Sequence, residues 1–174
     1  MRKPIILVIV LLCLVVLVSG CISDNKSAEP ETYKENNITF SYPGTWQIAN
    51  ATSPNAIVAI ADPNTIQNGN PTTLVVVQKP DVPKGNRIDE VYATNYKSFF
   101  NNTGYTEISE GNITIDDNII LENIYKSDTD QKEYRALWYA KNDNIYVILC
   151  TAKITDFKDQ TTNFDFIINS FKLV

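Results

Sequence analysis

The sequence predicts an α+β domain in which one antiparallel β-sheet is flanked by helices. Three observations carry this. Nearly continuous apolar runs, Ala56 to Ile60 and Leu74 to Gln78, read as strands buried on both faces. Short strand-like segments between residues 106 and 151 are separated by polar turns, the signature of hairpins. Two segments instead show helical spacing of their apolar residues. A chain of 174 residues fits a single such domain.

In chain order, Thr39-Phe-Ser-Tyr42 alternates and ends at the Pro43-Gly44 turn, and Trp46 to Ile48 continues extended. Asp62 to Thr65 and Asn68 to Pro71 form a polar loop between the two apolar runs. A helix is predicted over Asn86 to Asn101, with Asn86 as N-cap and Asp89 and Glu90 in its first turn. Ile88, Val91, Tyr92, Tyr96, Phe99 and Phe100 mark its apolar face, and Thr103-Gly104 ends it. Strands follow at Thr106 to Ser109, Ile113 to Ile115, Ile119 to Tyr125, Glu133 to Tyr139 and Asn144 to Thr151. A second helix is predicted over Asp156 to Phe171, where Phe157, Thr161, Phe164, Ile168 and Phe171 are spaced four, three, four and three apart.

The first residues read as an address. Arg2 and Lys3 precede an apolar run of 14 residues, Ile5 to Val18, and Val18-Ser-Gly-Cys21 follows. This order resembles the lipobox of prokaryotic lipoproteins, which implies that Cys21 takes a diacylglyceryl-type lipid and becomes the first mature residue. An uncleaved membrane anchor is the alternative, but a span needs about 20 apolar residues. Residues 1–20 are therefore read as a signal peptide and 21–35 as the lipidated Cys with a flexible tether. Residues 36–174 are read as the folded domain. Segment 22–35, with SDNKSAEPE, has too few apolar residues to join a core.

Charge and composition exclude several functions. The net charge is −5. Arg2 and Lys3 hold two of the 15 basic residues, so residues 22–174 carry −7, which argues against nucleic-acid binding. With no His, the commonest general base and metal ligand is missing, and Cys150 cannot form a Cys–His pair. Cys150 lies in the run Ile145 to Cys150 and reads as buried; Cys13 lies in the apolar leader.

Phe40, Pro43 and Trp46 read as packing residues. Acids cluster at Asp116-Asp117, Asp128/Asp130 and Asp156/Asp159. A calcium loop starting at Asp128 would have Lys132 at its third ligand position and Tyr139 at its twelfth, so turns explain these acids better. No catalytic, cofactor or metal-binding residue is assigned. Sequons at Asn25, Asn37, Asn50, Asn101 and Asn112 are possible glycan acceptors in an exported protein.

Ile38-Thr-Phe-Ser-Tyr-Pro-Gly-Thr-Trp46 and the ending Phe164 to Phe171 resemble the opening motif and closing helix of PsbP-like domains. The resemblance covers about residues 33–174. It implies an α/β/α sandwich, an extracytoplasmic location and an accessory role. The expectation is a lipid-anchored domain at the outer face of the cell membrane that binds or stabilises a protein partner without catalysis. The alternatives are a small-ligand or solute-binding lipoprotein and, further off, an envelope-polymer hydrolase.

Overall fold

The computed structural model describes residues 28–51, 53, 55–82, 87–95, 104–141 and 144–174. The leader with Cys21, the sequons at Asn25 and Asn101, and the second half of the predicted first helix lie outside these residues.

The long strands make one seven-stranded sheet. Its strands are β3 (Gln47–Ala49), β4 (Ala56–Ala61), β7 (Leu74–Gln78), β8 (Tyr105–Ile115), β9 (Asn118–Ser127), β10 (Lys132–Lys141) and β11 (Asn144–Lys153). They lie in the order β3-β4-β7-β11-β10-β9-β8, and all neighbours are antiparallel. A second sheet has the order β1-β2-β12, from β1 (Glu31–Glu35), β2 (Ile38–Tyr42) and β12 (Lys172–Leu173). The predicted polar loop folds as a 3₁₀ turn, Pro63–Thr65, followed by the small hairpin β5 (Ile66–Gln67) and β6 (Asn70–Pro71).

Two helices cover opposite faces of the main sheet. Helix α1 (Ile88–Asn95) sets Val91 and Tyr92 against Ala136, Trp138, Ile145 and Val147. Helix α2 (Phe157–Ser170) buries Phe157, Phe164, Ile167 and Ile168 on the other face, in one core with the β1-β2-β12 sheet. This is the expected sandwich, and the four-three-four-three spacing is what aims that apolar stripe inward. Because side chains on a strand alternate between faces, Ile145, Tyr146, Val147 and Ile148 can all be buried only when both faces are covered. On β7 only Val75 and Val77 are buried, while Leu74, Val76 and Gln78 are half-buried, so this strand is less enclosed than its composition suggested.

Two expectations need correction, and one strand was not expected. Glu31–Glu35, placed in the tether, forms β1 and pairs rung by rung with β2. The folded unit therefore includes β1, before the expected start at residue 36. Only Tyr33 of this strand is buried, so its polar sequence hides it. Residues 106–109 and 113–115 are not two strands but one, β8, whose register shifts between Glu107 and Ser109. Strand β12, after α2, had no signal beyond Lys172-Leu173.

Local backbone chemistry fits. Asn36 and Asn37 have φ of 55° and 61°, and Asp116 and Asp117 have 48° and 62°. Two successive positive φ values make the hairpin turn that Asn and Asp tolerate best among residues with a side chain. At Gly44 the Glu29 carbonyl approaches so closely that a Cβ has no room.

Candidate functional site

The sheet is forked at one end. Pairing between β9 and β10 stops at the Leu121↔Trp138 rung. Beyond it, β9 continues with β8 as far as Ile115↔Asn118, and β10 continues with β11 as far as Lys141↔Asn144. The two hairpins thus part for their last three residues, 118–120 and 139–141. That makes a gap about 10 Å deep at the usual rise per residue.

The fork forms a cleft of about 470 Å³, whose lining includes Ile88, Asp116, Ile119, Tyr139, Lys141 and Phe171. Strand alternation assigns its walls. Ile119 and Ala140 lie two positions from Leu121 and Trp138 toward the open end and share the face covered by α1, where Ile88 packs. Ile120, Tyr139 and Phe171 belong to the core on the face covered by α2. Ile119 is 76% exposed, the most exposed large apolar side chain among the described residues.

The polar groups are few. The Tyr139 ring lies 5.0 Å from that of Phe171, and its buried hydroxyl has no partner among the described residues. Burial pushes this phenol far above its ordinary value, with nearby Cys150 and Asp116 adding to the rise and Arg135 opposing it, so it stays a proton donor. Asn118 Nδ2 donates to the Asp116 carbonyl at 2.9 Å and fixes the β8–β9 turn. Lys141 Nζ donates to the Leu173 carbonyl at 2.6 Å and ties β10 to β12.

The residues singled out from sequence lie elsewhere, apart from Asp116. Phe40 and Trp46 are buried in the core and Pro43 is half-buried, as expected of packing residues. Asp128 and Asp130 sit in the β9–β10 turn, where Ser127 Oγ donates to Asp130 Oδ2 at 3.1 Å. Asp156 accepts from Thr155 Oγ1 at 2.6 Å just before α2. Among the described residues, no group of three or more acidic or thiol side chains is gathered to hold a metal ion. Asn37, Asn50 and Asn112 are exposed. No described helix is long and apolar enough to cross a membrane. No motif marks the cleft, because it comes from a missing pairing between strands.

Comparison with known proteins gives a consistent picture. A family model described as PsbP-like protein matches residues 17–173. CyanoP, the cyanobacterial PsbP of Synechocystis sp. PCC 6803, is 13% identical with a TM-score of 0.61, over 90% of this chain and 99% of that one. LpqN of Mycobacterium tuberculosis, described as involved in cell envelope biogenesis, is 11% identical with a TM-score of 0.57, over 82% and 88%. The Ran-binding protein Mog1p of Saccharomyces cerevisiae is 11% identical with a TM-score of 0.57, over 85% and 97%. No curated protein matches by sequence. At these identities the likeness to the solved structures is one of fold.

Proposed function

The chain belongs to the PsbP-like family, and from that premise we propose that it is an accessory domain held at the outer face of the cell membrane by lipid on Cys21, where it binds a protein partner and acts without catalysis. The carrying observation is the forked end of the sheet. An apolar side chain as large as Ile119, standing 76% exposed beside apolar walls, gains by being covered. The leader's charge, apolar run and Gly20-Cys21 order support the anchor. Two acyl chains, at about 0.8 kcal/mol per buried CH₂, would hold the domain without help from its acidic surface. The envelope role stated for LpqN and the binding role stated for Mog1p are compatible with this reading. Asn37, Asn50, Asn101 and Asn112 are its glycan-acceptor positions in a host that glycosylates exported proteins.

One observation favours a second reading. The cleft exceeds the roughly 300 Å³ that a small-molecule site needs, and it has a few convergent polar groups. A solute-binding lipoprotein would use the same place.

The test pairs wild type with Cys21→Ser. Wild type should enter the detergent phase and co-purify a stoichiometric protein from solubilised membranes, and Cys21→Ser should remain unprocessed or leave the detergent phase. Equal processing and partition of the two chains would remove the lipid anchor from the account. Co-purification of a small molecule and no protein would establish the second reading instead.

A further inference from the structure

In an antiparallel sheet each residue directs its N–H and C=O toward one neighbouring strand, alternating along the chain. The two-residue turn at Asp116-Asp117 makes Asn118 and Ile115 a bonded rung, so Asn118 and Ile120 face β8 and Ile119 faces the other way. Leu121 meets Trp138 across the β9–β10 seam, and Ala140 lies two residues beyond Trp138. Ile119 and Ala140 are therefore the next rung of that seam, and it is not made. Their main-chain donors and acceptors face each other across the cleft.

We propose that this fork is a socket for an extended polypeptide segment of the partner, which pairs its main chain with Ile119 or Ala140 and sets a basic side chain beside Asp116 and Asp117. The proposal rests on the binding reading above and names the chemistry of the partner. Three features select such a segment over other occupants. Only a polypeptide repeats donors and acceptors at the strand's own pitch of about 3.3 Å. Side chains of an extended segment in the plane of the sheet point alternately to both faces, and the cleft has apolar walls on both, Ile88 and Ile119 on one side and Tyr139 and Phe171 on the other. The charge at the mouth is split between its two sides. Asp116 and Asp117 stand on the β8–β9 tip, and Lys141 and Lys172 line the other side, with Lys141 Nζ donating to the Leu173 carbonyl, so the acidic tip is the side that takes a basic residue. Tyr139 lines the same cleft, and its buried hydroxyl is a donor without a partner among the described residues.

The test uses the lipidated chain in detergent micelles and three synthetic peptides. These are a capped Lys-Val-Lys-Val-Lys-Val, the same peptide with N-methylated amides, and a Glu-Val counterpart. Amide hydrogen exchange is read at Ile119 and Ala140. Both amides should exchange fast in the free chain, and the Lys-Val peptide should slow at least one of them about tenfold. The N-methylated and Glu-Val peptides should bind at least about tenfold more weakly. Ile119→Lys, at an exposed position, should lose the peptide while melting like wild type, and Tyr139→Phe should weaken it severalfold.

Amides already protected without peptide would mean that another part of this chain or a second copy fills the fork, and the proposal fails. Equal binding of the N-methylated peptide, or no effect at millimolar Lys-Val peptide, overturns it as well. If Ile119→Lys loses the peptide yet still co-purifies the partner, the socket is wrong and the accessory role stands. If wild type co-purifies no protein, the accessory role fails on its own.

Discussion

The Trp46 indole meets the Phe164 ring edge-on, with centroids 6.2 Å apart and planes at 83°. This contact joins the turn after β2 to the middle of α2. Edge-to-face pairs of this kind add about 0.5–1.5 kcal/mol to the burial itself.

Trp46→Ala should therefore cost about 3–5 kcal/mol through lost burial and the cavity left behind. For a domain of this size that corresponds to a melting temperature lower by roughly 10 °C, read by circular dichroism. Trp138 is as enclosed as Trp46, and its Nε1 donates to Asn123 Oδ1 at 3.1 Å. Trp138→Phe should destabilise as well, because it leaves the buried Asn123 side chain without that donor. A wild-type melting curve for Trp46→Ala would show that the ring is dispensable to the core.

Arg135 links the sheet to α2. Its Nε donates to Glu122 Oε1 at 2.7 Å and its Nη1 to Asp165 Oδ1 at 2.5 Å. Burial acts against its charge, but the two carboxylates outweigh that and raise its pKa. Removing the cation while both acids remain leaves Glu122 largely buried without its partner. Arg135→Ala should cost about 2–4 kcal/mol in urea unfolding, more than Asp165→Ala, because Asp165 is half-exposed. Equal losses would show that the Glu122 contact contributes little.

Glu133 is a carboxyl whose burial raises its pKa, with Lys126 pulling the other way. The unfolded chain releases this proton first. Glu133 therefore lowers stability as the pH rises through the folded-state value, and has no such effect below the unfolded value of about 4.3. Glu133→Gln should be more stable than wild type at pH 7, with the gain vanishing near pH 3.5. A gain independent of pH would mean that something other than ionisation is responsible.

Cys150 is fully buried, and burial pushes its thiol up to about 12. It should resist an aromatic disulfide reagent at pH 8 in the folded chain and react at once in urea. The unfolded thiol ionises near 8.5 while the folded one does not, so this group also lowers stability as the pH climbs above about 8.5. Rapid labelling without denaturant would show that β11 opens locally.

The elements that bury the most were legible in the sequence. Continuous apolar runs marked β4, β7 and β11, and the spacing of Phe157, Phe164 and Ile168 marked α2, because burial leaves a periodic trace in composition. Strand β1 left none, since one buried Tyr33 among charged neighbours reads as linker. In β8 the exposed Glu110-Gly111-Asn112 has no apolar residue and includes a Gly, which reads as a turn, so one strand read as two. The cleft was hidden for a different reason. Ile119, Ile120, Tyr139 and Ala140 are ordinary strand residues, and only the three-dimensional course of β9 and β10 parts them.

Strand β2 lies between β1, which precedes it directly, and β12, which follows more than 120 residues later. Ser170 Oγ accepts from the Ser41 N–H at 2.9 Å, and the Val174 N–H donates to the Asn37 carbonyl at 2.9 Å. A ribosome makes the chain from its N-terminus, so Ile38 and Phe40 must wait for residues 170–174 before that edge is closed. Until then the β1–β2 hairpin is an open template for other chains. Nascent copies halted short of residue 170 should be aggregation-prone, and a clip that removes only 171–174 should expose the oldest part of the fold rather than merely fray the newest.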